Sequence, residues 1–155
     1  MRALAFSDIH GKWELLRAVT EKDADIYICL GDLTNGEEGI EEAAKILEPI
    51  SDRLVCVPGN NERPETMRKY FPLVLHGDVW EHGGVRFGGI GGCPITPFNT
   101  VHEWEESEAE ALLARIGGVD VLLSNAPPAG TRIAMTGSGI DAGSRALPGS
   151  YAPRG

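Results

Sequence analysis

Asp8 and His10, Asp32, and Asn60 each stand just past an apolar run, in Asp8-Ile9-His10, Gly31-Asp32 and Gly59-Asn60-Asn61-Glu62. Two carboxylates, an imidazole and a carboxamide make a set of hard oxygen donors with one nitrogen donor. Such a set suits a divalent cation, or two cations sharing a carboxylate. In extended chain, positions i and i+2 point to one side, so Asp8 and His10 are expected to reach one ion. Asp32 offers two oxygens able to bridge two ions, and Asn60 a neutral carbonyl oxygen. Two ions about 3.5–4 Å apart can clamp a phosphate and generate hydroxide from bound water at neutral pH. Any one of these residues, taken alone, reads as a turn or helix-cap residue.

The elements that must position them follow from the periodicity. Arg2 to Phe6 reads as a first strand, and Lys12 to Lys22 as an amphipathic helix carrying Trp13, Leu15, Leu16 and Val19. Asp25 to Leu30 is an almost continuous apolar run, as expected of a strand covered on both faces. Glu41 to Leu47 reads as a helix stopped by Pro49, and Leu54 to Val57 as a third strand closed by Pro58-Gly59. Strand, helix, strand, helix, strand implies two right-handed βαβ units, and parallel sheets gather ligands at the carboxyl ends of their strands. The second half differs. Val79-Trp80-Glu81 and Val85-Arg86-Phe87 around His82-Gly83-Gly84 predict a hairpin. Ser107 to Ile116 predicts a helix ended by Gly117-Gly118, and Val119 to Leu123 a buried strand delivering Ser124-Asn125-Ala126-Pro127-Pro128. Periodicity is lost after Gly130, and no repeat or linker divides the chain, so residues 1–155 read as one domain.

At 155 residues the chain is long enough to bury a core, and no apolar stretch approaches the roughly 20 residues of a membrane span. The run Met1 to Phe6 breaks at Ser7-Asp8, as a strand does and a signal peptide does not. A net charge of −9 argues against a nucleic-acid backbone as main partner, while a metal site reverses the local charge and still accepts a small phosphate ester. Cys29, Cys56 and Cys93 are an odd number without metal spacing. Cys29 and Cys56 read as buried hydrophobes, and a cytoplasmic, reducing location is the expectation.

The ordered set Asp-x-His, Gly-Asp, Gly-Asn-x-Glu and a strand ending before Ala-Pro-Pro resembles the calcineurin-like metallophosphoesterase superfamily. The segment Gly88 to Thr100 (Gly-Gly-Ile-Gly-Gly-Cys-Pro-Ile-Thr-Pro-Phe-Asn-Thr) is similar to a subgroup of small prokaryotic members, and the matches span most of positions 6 to 144. The resemblance implies an α/β four-layer sandwich, two mixed β-sheets packed together and flanked by helices. It also implies a dinuclear Mn, Fe, Zn or Ni site that hydrolyses phosphomonoesters or phosphodiesters. Asp8 and His10 resemble ligands of the first metal, Asp32 the bridging carboxylate, and Asn60 the carboxamide ligand of the second. Four such residues in family order favour metal over capping.

The departures set further expectations. Asn61 stands where the family often has a His that assists the leaving group; an amide can contact a phosphoryl oxygen but cannot deliver a proton. Asn125 stands where the family has a metal-binding His, so the second metal is expected to bind weakly. Asp141 resembles the position of a further family His. The closing Gly-His-x-His motif is not among the 155 residues, so the domain is expected to be incomplete at its C-terminal end and to expose a sheet edge, open to self-association. The alternative is a non-catalytic scaffold that keeps the phosphoesterase fold.

Elsewhere the plain readings prevail. His76, His82 and His102 match no ligand position, and Trp13, Trp80 and Trp104 read as packing residues. Glu103, Glu105, Glu106, Glu108 and Glu110 read as a solvated helix face and its first turn. Asn61 and Glu62 read as turn or cap residues ahead of a helix near Pro64 and, equally, as residues that contact a phosphate. The four glycines between Gly88 and Gly92 could line a ligand or allow strands to cross closely.

Overall fold

The computed structural model describes residues 1–147. Strands β1 (Ala3–Phe6), β2 (Ile26–Cys29) and β3 (Leu54–Cys56) form one sheet in that order, parallel throughout. Helices α1 (Trp13–Thr20) and α2 (Ile40–Leu47) cross between them, as the two βαβ units require. Pro49 does not end the helical path. It lies in the first turn of a 3-10 helix, Glu48–Arg53, where no amide donor is needed. Helix α3 (Pro64–Tyr70) follows β3. The apolar run of β2 is buried at every position, and its alternation sorts two cores. Tyr27 and Cys29, with Leu54 and Cys56, meet Leu16, Ala43 and Leu47 of the helices. Ile26 and Ile28, with Val55 and Val57, turn to the opposite side and meet Phe87 and Leu123.

Those last two residues belong to the second sheet. The predicted hairpin is β4 (Asp78–His82) and β5 (Val85–Ile90), antiparallel, turning at Gly83-Gly84. A short parallel ladder of β6 (Cys93–Pro94) and β7 (Glu103–Trp104), which the sequence did not suggest, leads into α4 (Glu106–Ile116). Strand β8 (Val121–Ser124) then joins β5 in parallel, giving the order β4-β5-β8. Helix α4 covers the outer face with Ala109, Leu113 and Ile116 against Ile90 and Val119. The layers therefore run helix, sheet, sheet, helix. The glycines of β5 serve this packing: a Cβ on Gly88 would stand 2.4 Å from Ile116, and one on Gly89 2.3 Å from Leu75.

Among the described residues β1 and β3 are the outer strands of the first sheet, and β4 and β8 those of the second. Ala3 and Ala5 are exposed while Leu4 and Phe6 pack onto the helix-side core. Beside β8 lies a cavity of about 790 Å³, bounded by Leu30, Leu123 and Ile133. The segment after Gly130 is irregular as expected, with one 3-10 turn, Arg132–Ala134, and isolated bridges from Pro128 to Ser144 and Met135 to Asp141. The expected incomplete end, at Tyr151 to Gly155, lies outside the described residues.

Candidate metal centre

Beyond β1 the chain does not stay extended, so alternation is not what brings Asp8 and His10 together. Both are in the left-handed region, at φ 56° and 48°, and Asp32 is there too, at 54°. For residues other than glycine this costs roughly 1–2 kcal/mol each, tolerated only where surroundings over-determine the backbone. Here the parallel ladder continues past the strand ends. The Asp8 amide donates to the Gly31 carbonyl (3.2 Å), the His10 amide to Asp32 (2.9 Å) and the Gly11 amide to Leu33 (2.9 Å). Ile9, between the two candidate ligands, is buried in the helix-side core.

Ligand atoms of Asp8, His10 and Asp32 all lie within 4.8 Å of one another. His10 Nε2 is 3.5 Å from Asp8 Oδ1. His10 Nδ1 faces two acceptors, Asn35 Oδ1 at 3.1 Å and the Thr34 carbonyl at 3.3 Å. The ring proton therefore belongs on Nδ1, which leaves the Nε2 lone pair for a cation. Asp32 is only 5% exposed, and no Lys or Arg among the described residues pairs with it. A buried carboxylate without a cationic side chain, beside a second carboxylate and an imidazole, fits a divalent ion chemically. Asp8, Asp32, Asn60 and Asn125 share the wall of a cavity of about 240 Å³ with Cys93, Thr96 and Phe98. His10 lines a neighbouring hollow with Trp13.

The two remaining carboxamides are turned onto Asp32. Asn61 donates to Asp32 Oδ1 from both its side-chain nitrogen (2.9 Å) and its amide (3.1 Å), and its Oδ1 accepts from the Gly36 amide. Asn125 donates from Nδ2 to the Leu30 carbonyl (2.8 Å) and to Asp32 Oδ2 (3.3 Å). Two acceptors on that side set the amide orientation, so nitrogen rather than oxygen meets Asp32.

Glu62, read from sequence as a turn or cap residue, lies wholly buried beneath the site and ties its loops together. Its carboxylate accepts from the amides of Asp32 (3.0 Å), Gly59 (3.2 Å) and Thr34 (2.8 Å), and from the Thr34 hydroxyl (2.9 Å). Burial pushes its pKa up, Asp32 adds to that, and the donors of Thr34 and Gly59 oppose it. The two motif glycines let the loops touch: a Cβ on Gly31 would stand 2.1 Å from the Gly59 nitrogen, and one on Gly59 2.3 Å from Asp32. His102, which matched no ligand position, holds the Asn60 turn instead. Its Nδ1 faces the Gly59 carbonyl (3.1 Å), and its amide donates to the Asn60 carbonyl (3.0 Å).

With this arrangement in view, comparison with known proteins bears on one family. A model of the calcineurin-like phosphoesterases matches residues 1–152. The chain belongs to the calcineurin-like phosphoesterase family. It is similar to an uncharacterised protein, MJ1162, of Methanocaldococcus jannaschii, 37% identical over an alignment 140 residues long that covers 84% of this chain and 63% of the relative. The chain thus spans less than two thirds of that curated relative. Among solved structures, a protein of unknown function from Aquifex aeolicus, AQ665, aligns with a TM-score of 0.35 and 22% identity, over 56% of this chain and 57% of the other.

Several residues around this centre differ from their sequence reading. The acidic stretch is not simply a solvated face. Glu103 accepts from the amide and hydroxyl of both Thr96 and Thr100, between 2.8 and 3.0 Å. Burial pushes the Glu103 carboxyl up, but these four donors outweigh it and hold the pKa at about 2. Glu105 and Glu108 form a capping box at the start of α4, and Glu106 accepts from Ser144, Arg145 and Ala146. Asp141 fastens its own loop, accepting from the Gly130 and Gly143 amides, and does not line the 240 Å³ cavity. The Cys93 thiol is pushed up to about 12 by burial and by the charge of Glu103, so it faces the cavity as a neutral group. Trp104 is a packing residue as expected, with its Nε1 donating to the Gly91 carbonyl at 2.8 Å.

Proposed function

We propose that this chain is a metal-dependent hydrolase of phosphomonoesters or phosphodiesters, with Asp8, His10 and Asp32 holding the tighter of two divalent ions. The approach of those three ligand atoms to within 4.8 Å of one another carries the reading. Asp32 would be shared with a second, weaker site completed by Asn60, with Asn125 and Asn61 close by. Manganese, iron, zinc or nickel would each suit mixed oxygen and nitrogen donors. Bound there, such ions supply activated water at neutral pH and charge to polarise a phosphoryl group. The chain's own contribution is orientation. His10 is aimed by Asn35 and Thr34, Asp32 is held by Glu62 from below, and Asn61 lies near enough to contact a phosphoryl oxygen on turning from Asp32. Unpaired thiols at Cys29, Cys56 and Cys93 suit a cytoplasmic setting, and no helix among the described residues is long and apolar enough to cross a membrane.

One observation favours a second reading, a scaffold with the same fold and little or no turnover. Both oxygens of Asp32 already accept hydrogen bonds from carboxamides, which a bridging ion would have to displace. The two readings separate in one experiment. Calorimetric titration with Mn²⁺, followed by an assay on bis(p-nitrophenyl) phosphate, is expected to give saturable binding and hydrolysis. Asp32→Ala should lower the affinity at least about tenfold and abolish turnover. Hydrolysis no faster than that of Asp32→Ala with several metals would replace the enzyme by the scaffold.

A further inference from the structure

Phe98 is 66% exposed, where Phe87 and Phe71 are 3% and 5% exposed. It nevertheless lines the 240 Å³ cavity together with Asp8, Asp32 and Asn60. A large apolar ring left in water forgoes burial, and a loose loop would let it fold back onto the protein. This loop is tied down. Glu103 grips Thr96 and Thr100 on either side of Phe98, the Phe98 amide donates to Thr96 Oγ1 at 3.2 Å, and Asn99 turns the chain at φ 50°. The ring is thus carried out of every core by a turn built for that position.

The size of the cavity gives this position a use. Sites that enclose an organic ligand run from about 300 to 1,000 Å³, so a cavity below that range admits a phosphoryl group while the ester's organic part extends beyond it, past Phe98 or toward the hollow beside β8 that shares Asn125, Ala126 and Pro127. What lies at its edge is Phe98. Resting on the phosphoesterase reading above, we propose that Phe98 is a stacking platform for the substrate's organic group, which selects phosphate esters bearing a planar aromatic ring over esters of small alkyl alcohols. Aryl and nucleoside esters share that chemistry, while the net charge of −9 disfavours long polynucleotides. Phe98 acts on specificity alone, since it has no group that donates, accepts or ligates.

The test uses two ligands with the same head and different organic groups, phenylphosphonate and methylphosphonate, titrated calorimetrically into the full chain with Mn²⁺. Phenylphosphonate should bind wild type about tenfold tighter, Phe98→Ala should reduce that preference to about twofold or less, and Phe98→Tyr should keep it. Because the ring is exposed, Phe98→Ala is expected to melt with wild type, and Asp32→Ala should weaken both ligands. Failure of wild type to bind Mn²⁺ would remove the metal centre, and the platform with it. Metal binding with equal affinity for the two phosphonates, or a preference retained in Phe98→Ala, would overturn the platform alone and leave the metal centre standing.

Discussion

Each carboxylate oxygen of Glu62 accepts two hydrogen bonds, Oε2 from the Asp32 and Gly59 amides and Oε1 from the amide and hydroxyl of Thr34. A buried acceptor of this kind cannot be exchanged for an amide without loss, because the NH₂ of a glutamine would face donors on one side. Glu62→Gln is therefore expected to lower stability by about 2–4 kcal/mol in urea unfolding, the cost of stranding buried donors. It should also weaken Mn²⁺ binding, since the Asp32 amide loses its anchor. Unaltered stability would mean that Glu62 is not the hub these distances describe. The same reasoning explains why Asp8, His10 and Asp32 tolerate positive φ. Their strain is offset by a ladder of loop hydrogen bonds and by the buried Ile9 between them. In the sequence, a carboxylate after Gly-Asn-Asn looks like any turn residue. What separates Glu62 from a cap is its burial by loops about thirty positions away.

At the scale of elements, strands and helices that bury a face announced themselves, and those made by side-chain bonding did not. β2 could be read directly because both its faces are covered, and the hairpin because Gly83-Gly84 permits the turn. β6 and β7 have two residues each and no periodicity to read. They are held in register by the Glu103 clamp on Thr96 and Thr100, whose pH dependence can be worked out. The Glu103 pKa in the folded chain, about 2, lies below its ordinary value of 4.5. The clamp's contribution is thus full above pH 4.5, falls as pH drops from there, and is gone below about pH 2. Hydrogen exchange at the Thr96 and Thr100 amides should stay slow at pH 3, while Glu103→Gln should speed it even at neutral pH. Equal exchange in the two proteins would dismiss the clamp.

Across the whole molecule, the two sheets meet at the Ile26, Val55, Phe87 and Leu123 core, and the centre sits where strand ends of both sheets open onto one cleft. His76 stands at the seam. Its Nδ1 accepts from the Gly91 amide at 3.1 Å, and its ring packs edge-on against His102. Burial, then the neighbouring His102 and Arg68, lower its pKa from 6.5 to about 4. The unfolded chain therefore binds a proton that the folded chain refuses, and stability should fall as pH drops from 6.5 to about 4. Melting temperatures of wild type and His76→Gln, whose side-chain oxygen can still accept from Gly91, should agree best above pH 6.5 and separate most near pH 4, where wild type alone has lost stability; parallel curves would rule His76 out as a source of acid sensitivity. How far all this could be read in advance depends on range. Apolar periodicity is a local property, so the two βαβ units, the hairpin and the strand-end positions of Asp8, His10, Asp32 and Asn60 were legible from neighbours alone. The left-handed turns that aim Asp8 and His10, the carboxamides of Asn61 and Asn125 facing Asp32, the burial of Glu62 and the exposure of Phe98 were not. Each arises where loops distant in the chain come into contact, and only packing brings such loops within hydrogen-bonding distance.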